Sequence, residues 1–263
     1  MSMDWKVQGK NAIVTGAAGN IGRACVTCLA EAGANVMLAD MDPAAAEQAV
    51  KELHEQFPDV KLVAQACDVT DKASVDAMVE AAVKEFGRID ILNHIAGMST
   101  KVDFLEMPVE IYNQMMDVNA KGTFLVDQAV LRVMLPNKSG KIVNMSSMSG
   151  KEGYPTNVAY TASKFAVTGM TQAIAKYAAP YNINVNCVCP GIVHTHIWDR
   201  LLDDVTKAGG DADAYWKERI SAIPLKRPQT AEDIAQMFLY LSSAFADNMT
   251  GQSINITGGL ILH

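Results

Sequence analysis

A buried strand, a glycine-rich loop and a helix follow one another directly near the start of this chain. The run from Asn11 to Thr15 is apolar, the loop reads TGAAGNIG up to Gly22, and RACVTCLAEAG then has helical spacing as far as Gly33. Glycines let a backbone approach a pyrophosphate, and a helix N-terminus supplies N–H donors and the positive end of a dipole. This order predicts a dinucleotide site within a sheet of parallel strands.

Strand-like and helical runs alternate along the rest of the 263-residue chain. The further strand-like runs are NVMLAD, KLVAQACD, IDILNHI, GKIVNMSS, INVNCVCP and QSINITGG. The run ASVDAMVEAAVKEFG predicts an amphipathic helix that is capped by Asp71 and ended by Gly87. Alternation of this kind predicts an α/β Rossmann fold, in which a doubly wound parallel sheet of about seven strands has helices on both faces. No Pro/Gly/Ser-rich linker divides the chain, so we expect one domain over residues 1–263.

The second strand-like run ends on Asp40, eighteen residues after Gly22. This is close to the ~20 residues expected for an acid that binds an adenosine ribose. A carboxylate there accepts hydrogen bonds from both ribose hydroxyls and repels a 2′-phosphate. The loop from Ala17 to Asn20 is neutral, and residues 41–42 are Met-Asp, so this region offers no arginine or lysine to a phosphate. The sequence therefore favours NAD over NADP as the cofactor.

The segment NMSSMSGKEGYPTNVAYTASK contains the candidate catalytic groups. Ser147 precedes Tyr160 by thirteen residues, and Lys164 follows it by four. Positions i and i+4 of a helix share a face, so Tyr160 and Lys164 are expected to point into the same cleft. A phenol has an unperturbed pKa of about 10, and a neighbouring ammonium favours the phenolate, which makes Tyr160 a candidate general acid/base. With the serine hydroxyl holding a substrate oxygen, the trio predicts proton transfer to or from an alcohol or a carbonyl.

From about Gly9 to Gly259 the chain resembles the short-chain dehydrogenase/reductase family. The motifs that carry the resemblance are the glycine loop, Asp68-Val69, MDVNAKGTF, the serine–tyrosine–lysine segment and PGIVHT. The resemblance implies a catalytic tetrad of Asn119, Ser147, Tyr160 and Lys164. It implies that the serine positions the substrate oxygen and the tyrosine exchanges the proton. The lysine would lower the tyrosine pKa and bind the nicotinamide ribose, and the asparagine would support a water that links the lysine to solvent.

The resemblance also implies which residues contact the ligands. Those expected at the cofactor are Gly16, Gly19, Asn20, Ile21, Asp40, Met41, Asp68, Val69, His94, Ala96, Gly97, Tyr160, Lys164, Pro190, Gly191, Val193 and Thr195. Asp68 and Val69 belong to the adenine side, whereas Val193 and Thr195 belong to the carboxamide and phosphate side. Those expected at the substrate are Met98, Met148, Tyr154 and Trp198.

Two positions depart from the family's pattern. Asn20 stands where the loop usually has its middle glycine, and we expect the loop to form because asparagine tolerates a left-handed conformation. In ILNHIAG, His94 and Ile95 replace two asparagines that help to tie the central strands together. Local stability or the adenosine contact is expected to differ there, whereas Ala96 and Gly97 are retained.

The substrate is suggested by the variable segment that follows PGIVHT. This motif, the IWD and polar helix after it, and the ending MTGQSINITGGLILH resemble the branch that includes acetoin/butanediol and sugar-alcohol dehydrogenases. The resemblance implies an NAD(H)-dependent oxidoreductase that interconverts a secondary alcohol and a ketone, with a polyol, sugar alcohol or acyloin/diol as substrate. Alternatives are a hydroxysteroid dehydrogenase, a beta-ketoacyl carrier protein reductase and, more remotely, a non-catalytic NAD-sensing binding protein, which the complete tetrad disfavours.

The segment from His194 to about Ile220 is predicted to form a lid. It combines bulky apolar residues with a Gly209-Gly210 break, which a rigid core helix would not carry in its middle. We therefore expect two helical pieces, joined by a flexible turn, that close over the substrate. The bulky residues are Ile197, Trp198, Leu201, Leu202 and Trp216.

Charge and hydropathy limit the partners and the compartment. The formal net charge is −7, which disfavours nucleic acid as a partner. No stretch approaches ~18 apolar residues, and the N-terminus lacks the apolar core of a signal peptide, so we expect a cytoplasmic protein that does not enter a membrane. The resemblance implies a homo-oligomer, a tetramer, paired through the helices of Asn119 and Tyr160 and packed through the apolar tail GGLILH.

No metal site is expected, although two short motifs resemble one. Cys25 and Cys28 form C-x-x-C, but no second ligand pair is spaced with them, so all five cysteines are predicted to be free thiols that are mostly buried. His194 and His196 form H-x-H without an acidic or cysteine partner in phase, and they are expected to edge the substrate entrance.

Overall fold

Seven parallel strands form one sheet in the computed structural model, which describes residues 5–207 and 209–263. The structure does not describe four side chains, those of His196, Ile197, Arg200 and Asp204. The expectations for His196 and Ile197 therefore lie outside the described residues. The strands are β1 (Asn11–Thr15), β2 (Asn35–Asp40), β3 (Leu62–Ala66), β4 (Ile91–His94), β5 (Gly140–Met145), β6 (Ile183–Pro190) and β7 (Ser253–Ile256). Their order across the sheet is β3-β2-β1-β4-β5-β6-β7, which confirms the predicted doubly wound α/β fold.

Helices cover both faces of the sheet. They are α1 (Asn20–Glu31), α2 (Pro43–Gln56), α3 (Lys72–Phe86), α4 (Val109–Met115), α5 (Gly122–Met134), α6 (Val158–Ala178), α7 (His196–Lys207), α8 (Ala212–Ser221) and α9 (Ala231–Ser242). One hydrophobic core lies between the sheet and α1, α2 and α9, and a second lies between the sheet and α3, α5 and α6. The strands are apolar on both sides because each side faces one of these cores.

Local signals in the sequence set several of the helix ends. The carboxylate of Asp71 accepts from the backbone N–H groups of Ala73 and Ser74 and so begins α3, and Gly87 ends it with a φ of 79°. Both residues were predicted for these roles. At α9, Thr230 and Asp233 form a reciprocal capping box, which satisfies two otherwise unpaired N–H groups at the helix start.

The strand order determines where the ligand-binding crevice of the fold lies. The chain proceeds outward from β1 to β2 and β3, then returns to the other side of β1 as β4 and continues outward to β7. In sheets of this type ligands bind outside the carboxyl ends of the strands, at the point where the order reverses. The carboxyl ends of β1, β4, β5 and β6 are Thr15, His94, Met145 and Pro190, so the segments that follow these four residues meet at one edge.

A row of buried polar side chains crosses the sheet in register. Thr15 pairs with His94, His94 with Asn144, and Asn144 with Cys187 on successive strands. The Asn144 amide donates to the carboxylate of Asp127 on α5 at 2.8 Å. Burial raises the pKa of Asp127 to about 7, and the hydrogen bond from Asn144 opposes that rise. The bond from Asn144 to Asp127 thus ties strand β5 to helix α5.

All five cysteines are free and buried, as predicted. None of the helices in the described ranges is long and apolar enough to cross a membrane. Among the described residues there is also no group of three or more His, Cys, Asp or Glu side chains arranged to hold a metal ion.

Candidate active site

A cavity of about 580 Å³ lies at the carboxyl ends of β4, β5 and β6, and its walls come from the loops that follow these strands and from α6, α7 and α8. Many of the residues predicted for the catalytic and ligand sites line it. They are Ile21, Gly97, Met98, Ser147, Met148, Tyr154, Tyr160, Lys164, Pro190, Gly191, Val193, Thr195 and Trp198. The adenosine-side residues Asp40, Met41, Asp68 and Val69 lie outside this cavity, around the ends of β2 and β3.

Ser147, Tyr160 and Lys164 converge on the cavity. Ser147 follows β5, and it lines the cavity together with Tyr160 in the first turn of α6. Lys164 lies one turn further along α6, and its Nζ is 5.6 Å from the centre of the Tyr160 ring. The same Nζ donates to the carbonyl of Met145 at 2.8 Å. The proton-carrying groups expected from the sequence are therefore adjacent in the fold.

The pKa of Tyr160 lies above that of a free phenol, contrary to the expectation that the lysine lowers it. Burial raises the pKa of this phenol, the hydrogen bond from Ser147 lowers it, and the thiol of Cys189 raises it further. Burial also lowers the pKa of Lys164 to about 8, because an ammonium loses solvation inside the protein. Desolvation, which a sequence pattern does not contain, governs both groups.

Asn119 connects α5 to the loop that follows β4. It lies in a π-helical turn, Met116–Lys121, between α4 and α5. Its side-chain oxygen accepts from the N–H of Met98, and its amide donates to the carbonyl of the same residue, both at 2.9 Å. A β-carbon added at Gly97 would lie 3.0 Å from the Asn119 oxygen and 3.4 Å from Lys164 Nζ. A side chain at position 97 would therefore crowd both groups and require them to shift.

The glycine loop leaves the start of α1 open to a ligand. Gly16 has a φ of 65°, and a β-carbon at Gly22 would lie 2.0 Å from the carbonyl oxygen of Gly16. No side chain caps α1 at Gly19, so the first N–H groups of the helix are left for another acceptor. Asn20 is the first residue of α1, and its φ is not positive. The loop therefore forms without the left-handed conformation that asparagine was expected to tolerate here.

Asp40 stands at the end of β2 beside this loop. Its Oδ2 accepts from the N–H of Ala18 at 2.9 Å, and its Oδ1 accepts from the N–H of Asp42 at 3.1 Å. Each oxygen keeps a further lone pair for a hydroxyl group. The neighbouring arginine, Arg23 on α1, forms an ion pair with Glu52 on α2. The loop, the open helix start and this carboxylate together fit the pyrophosphate and adenosine ribose of a dinucleotide.

His94 replaces a family asparagine and still ties two strands together. Its Nδ1 lies 2.8 Å from the Thr15 hydroxyl, and that oxygen also accepts from the N–H groups of Ile95 and Ala96 at 3.1 and 3.3 Å. Burial, followed by the charge of Lys164, lowers the pKa of His94 to about 3, so the ring is neutral.

The segment predicted as a lid forms two helices above the cavity. Helices α7 and α8 are separated by a turn in which Gly209 has a φ of 80°, in agreement with the predicted break. The ring of Trp216 lies 5.2 Å from that of Trp198 and 5.3 Å from that of His194, which also pairs with Asp199 at 3.3 Å.

Sequence reasoning missed part of the lining. The residues that it did not assign to the site include Ser99, Thr100, Lys101, Pro155, Thr156, Asn157, Tyr215 and Arg219. A signal was available on α8, where Tyr215 and Arg219 are four residues apart and so share a helix face.

Comparisons with known proteins agree with this geometry. A family model described as enoyl-(acyl carrier protein) reductase matches residues 16–261. The chain is 36% identical to the 3-oxoacyl-[acyl-carrier-protein] reductase FabG of Thermotoga maritima, over 98% of this chain and 100% of that protein. It is also 36% identical to a diacetyl reductase [(S)-acetoin forming] of Staphylococcus epidermidis, over 96% and 98%. The crystal structure of NAD+-bound xylitol dehydrogenase superposes with a TM-score of 0.92 at 34% identity, over 97% of this chain and 100% of that one.

Proposed function

The chain belongs to the short-chain dehydrogenase/reductase family, and we propose that it is an NAD(H)-dependent enzyme that interconverts a secondary alcohol and a ketone on a polyol, sugar alcohol or acyloin. The observation that carries the proposal is the meeting of Ser147, Tyr160 and Lys164 in one cavity that borders the open glycine loop. The diacetyl reductase and xylitol dehydrogenase relatives support the substrate class.

We propose that the dinucleotide is held by residues at five strand ends. Gly16, Gly19, Asn20 and Ile21 would receive the pyrophosphate at the start of α1. The adenosine would lie against Asp40, Met41, Asp68 and Val69, and the nicotinamide half against Ala96, Gly97, Pro190, Gly191, Val193 and Thr195. When bound, the nicotinamide supplies the hydride acceptor or donor.

The roles proposed for the tetrad follow from its contacts. Ser147, anchored at the start of the turn after β5, orients the substrate oxygen toward Tyr160, and Tyr160 takes the alcohol proton in oxidation or returns it in reduction. The buried Lys164 ammonium, held on the Met145 carbonyl, stabilises the phenolate when it forms. Asn119 fixes the Met98 loop against α5 and so keeps Gly97 beside the lysine.

We expect Tyr160→Phe to lower kcat for alcohol oxidation at least a hundredfold and to leave NADH affinity within about threefold, because positioned proton transfer contributes ~10²–10⁴-fold in rate. In the wild-type protein, oxidation should rise with pH from 7 toward 10, since only the phenolate accepts a proton and the pKa of Tyr160 is raised. The measurement is NADH formation across diols, polyols, sugars and steroids at several pH values, with NADH binding followed by fluorescence.

Tyr181→Phe is the matched control for this experiment. Tyr181 precedes β6 at the opposite edge of the sheet, so its loss should leave both turnover and the pH profile unchanged. More than a tenth of wild-type kcat in Tyr160→Phe would contradict the proton-transfer role. NADH binding without turnover of any alcohol would instead favour the non-catalytic binding protein.

We expect kcat/KM with NAD to exceed that with NADP at least tenfold. The Asp40 carboxylate accepts from ribose hydroxyls and repels a 2′-phosphate, and Arg23 is already paired with Glu52. Asp40→Ala should reduce this preference tenfold or more, whereas Asp42→Asn, which removes a neighbouring charge and preserves the cap on α2, should change it less than threefold. Equal efficiency of the wild-type protein with both cofactors would refute the assignment.

We propose that α7 and α8 act as the lid of the site. Without ligands their amide hydrogens should exchange faster than those of β4 and β5, because they pack over the cavity rather than within a core. Addition of NAD and an alcohol that the enzyme oxidises should slow exchange in α7 and α8, with the core helix α9 as an internal reference of the same twelve-residue length as α7. Protection equal to that of the central sheet in both states would exclude a moving lid.

We also propose that the protein self-associates as a tetramer through α5 and α6. Phe124 on α5 and Phe165 on α6 are each 46% exposed, and Leu262 in the apolar tail is 88% exposed. Exposed apolar side chains on adjacent helices are typical of an interface. Light scattering at micromolar concentration should give four times the chain mass of 28.3 kDa, and Phe165→Glu should lower it. A wild-type mass of one chain would contradict the proposal.

A further inference from the structure

The lining of the cavity contains cationic side chains and, among the described residues, no carboxylate. Its charged members are Lys101, Lys164 and Arg219. This differs from the chain as a whole, which has 29 acidic residues against 22 lysines and arginines. The proton-transfer role of Lys164 accounts for one of the three cations, and the other two need a separate explanation.

Arg219 differs from the other arginines whose side chains the structure describes. Arg23, Arg88 and Arg227 pair with carboxylates, and Arg132 donates to the side-chain oxygen of Gln128. Arg219 forms no ion pair with a described residue, and its Nε is buried without a hydrogen-bond partner. A buried donor that lacks an acceptor is costly, so an acceptor from a ligand would relieve that cost.

Lys101 is held close to Arg219 by aromatic side chains rather than by an acid. Its Nζ lies 3.4 Å from the Tyr215 hydroxyl and 5.1 Å from the centre of the Trp198 ring. Tyr215 and Arg219 occupy positions i and i+4 of α8, where side chains are ~5–6 Å apart at their β-carbons. Lys101 therefore contacts Tyr215, Arg219 shares a face of α8 with Tyr215, and all three residues line the cavity.

Two acidic side chains near the cavity contact other residues and do not line it. Glu152 contacts the hydroxyl of Tyr154 at 3.4 Å and does not line the cavity. Asp199 on α7 pairs with His194 at 3.3 Å. An anionic ligand at Lys101 and Arg219 would therefore meet two cations and no carboxylate in the lining.

We propose that the substrate carries an oxyanion, a carboxylate or a phosphate, in addition to the alcohol carbon that is oxidised. The planar guanidinium of Arg219 matches both anions with two parallel N–H donors, and Lys101 adds a point charge beside the Tyr215 hydroxyl. The enzyme would thus act on a hydroxy acid or phosphorylated polyol in preference to the neutral compound. This inference rests on the proposed function and names the substrate class of the same site.

The test compares six-carbon alditols with the matching aldonates and alditol phosphates at constant ionic strength. For the wild-type protein, kcat/KM with at least one anionic series should exceed that of the neutral alditol tenfold or more, and the preferred series identifies the anion. Arg219→Gln should reduce this preference at least tenfold through KM, and Lys101→Gln severalfold. Lys217→Gln, an exposed lysine on the same helix outside the cavity lining, is the matched control and should preserve the preference.

A second readout does not depend on turnover. Trp198 lines the cavity beside Lys101 and contacts Trp216, whereas Trp5 packs on Phe245 outside the lining, so a Trp5→Phe background reports on the region of α7 and α8. In the presence of NAD, a titration with aldonate or alditol phosphate should change this fluorescence at lower concentration than alditol does, and Arg219→Gln should abolish the difference.

The two proposals fail in different ways. Oxidation of neutral alditols with no preference for either anion, or a preference that Arg219→Gln leaves intact, would overturn the anion inference and leave the proposed function standing. Anion binding that depends on Arg219, without NAD reduction by any alcohol, would overturn the proposed function instead. If the protein neither reduces NAD with any alcohol nor binds an anion through Arg219, both proposals would be overturned.

Discussion

The hydrogen bond from the buried ammonium of Lys164 to the carbonyl of Met145 organises the site. A buried charge is tolerated only when it is hydrogen-bonded, so this bond fixes the middle of α6 against the end of β5. Tyr160, one turn earlier, is then placed beside Ser147, which follows β5. A side chain at Gly97 would crowd the lysine and Asn119, which lie beside it. The position of one ammonium thus determines the neighbours of the phenol.

Features set by neighbours in sequence could be predicted. The strands, the turn at Gly87 and the helix start at Asp71 depend on periodicity and on local hydrogen bonds, and the structure has them where the sequence indicated. Prediction was weaker where the physical cause is burial or a long-range contact. The pKa of Tyr160 rises because the phenol is desolvated, and α1 begins at Asn20 without a left-handed residue. His94 bonds to Thr15, which is distant in sequence but adjacent across the sheet.

The unassigned part of the cavity could not be predicted for the same reason. Lys101 follows β4 and Arg219 lies on α8, and nothing in either local sequence distinguishes them from solvated surface cations. Their relation depends on the packing of α8 over the loop after β4, through the contact between Lys101 and Tyr215. Residue spacing within α8 could predict that Arg219 and Tyr215 share a helix face. It could not predict that this face lies over the cavity.

The catalytic groups and the unassigned cations lie on parts of the fold that differ in how they are packed. Tyr160 and Lys164 belong to α6, which contributes to a buried core, whereas Trp198, Tyr215 and Arg219 belong to helices that cover an opening. Contacts with a part of the substrate that does not react can supply free energy to close such a cover and to exclude water from the reacting centre. An anionic group of the substrate that is bound by Arg219 would connect α8 to the substrate. Recognition of this group and closure of the lid over the alcohol carbon would then occur together.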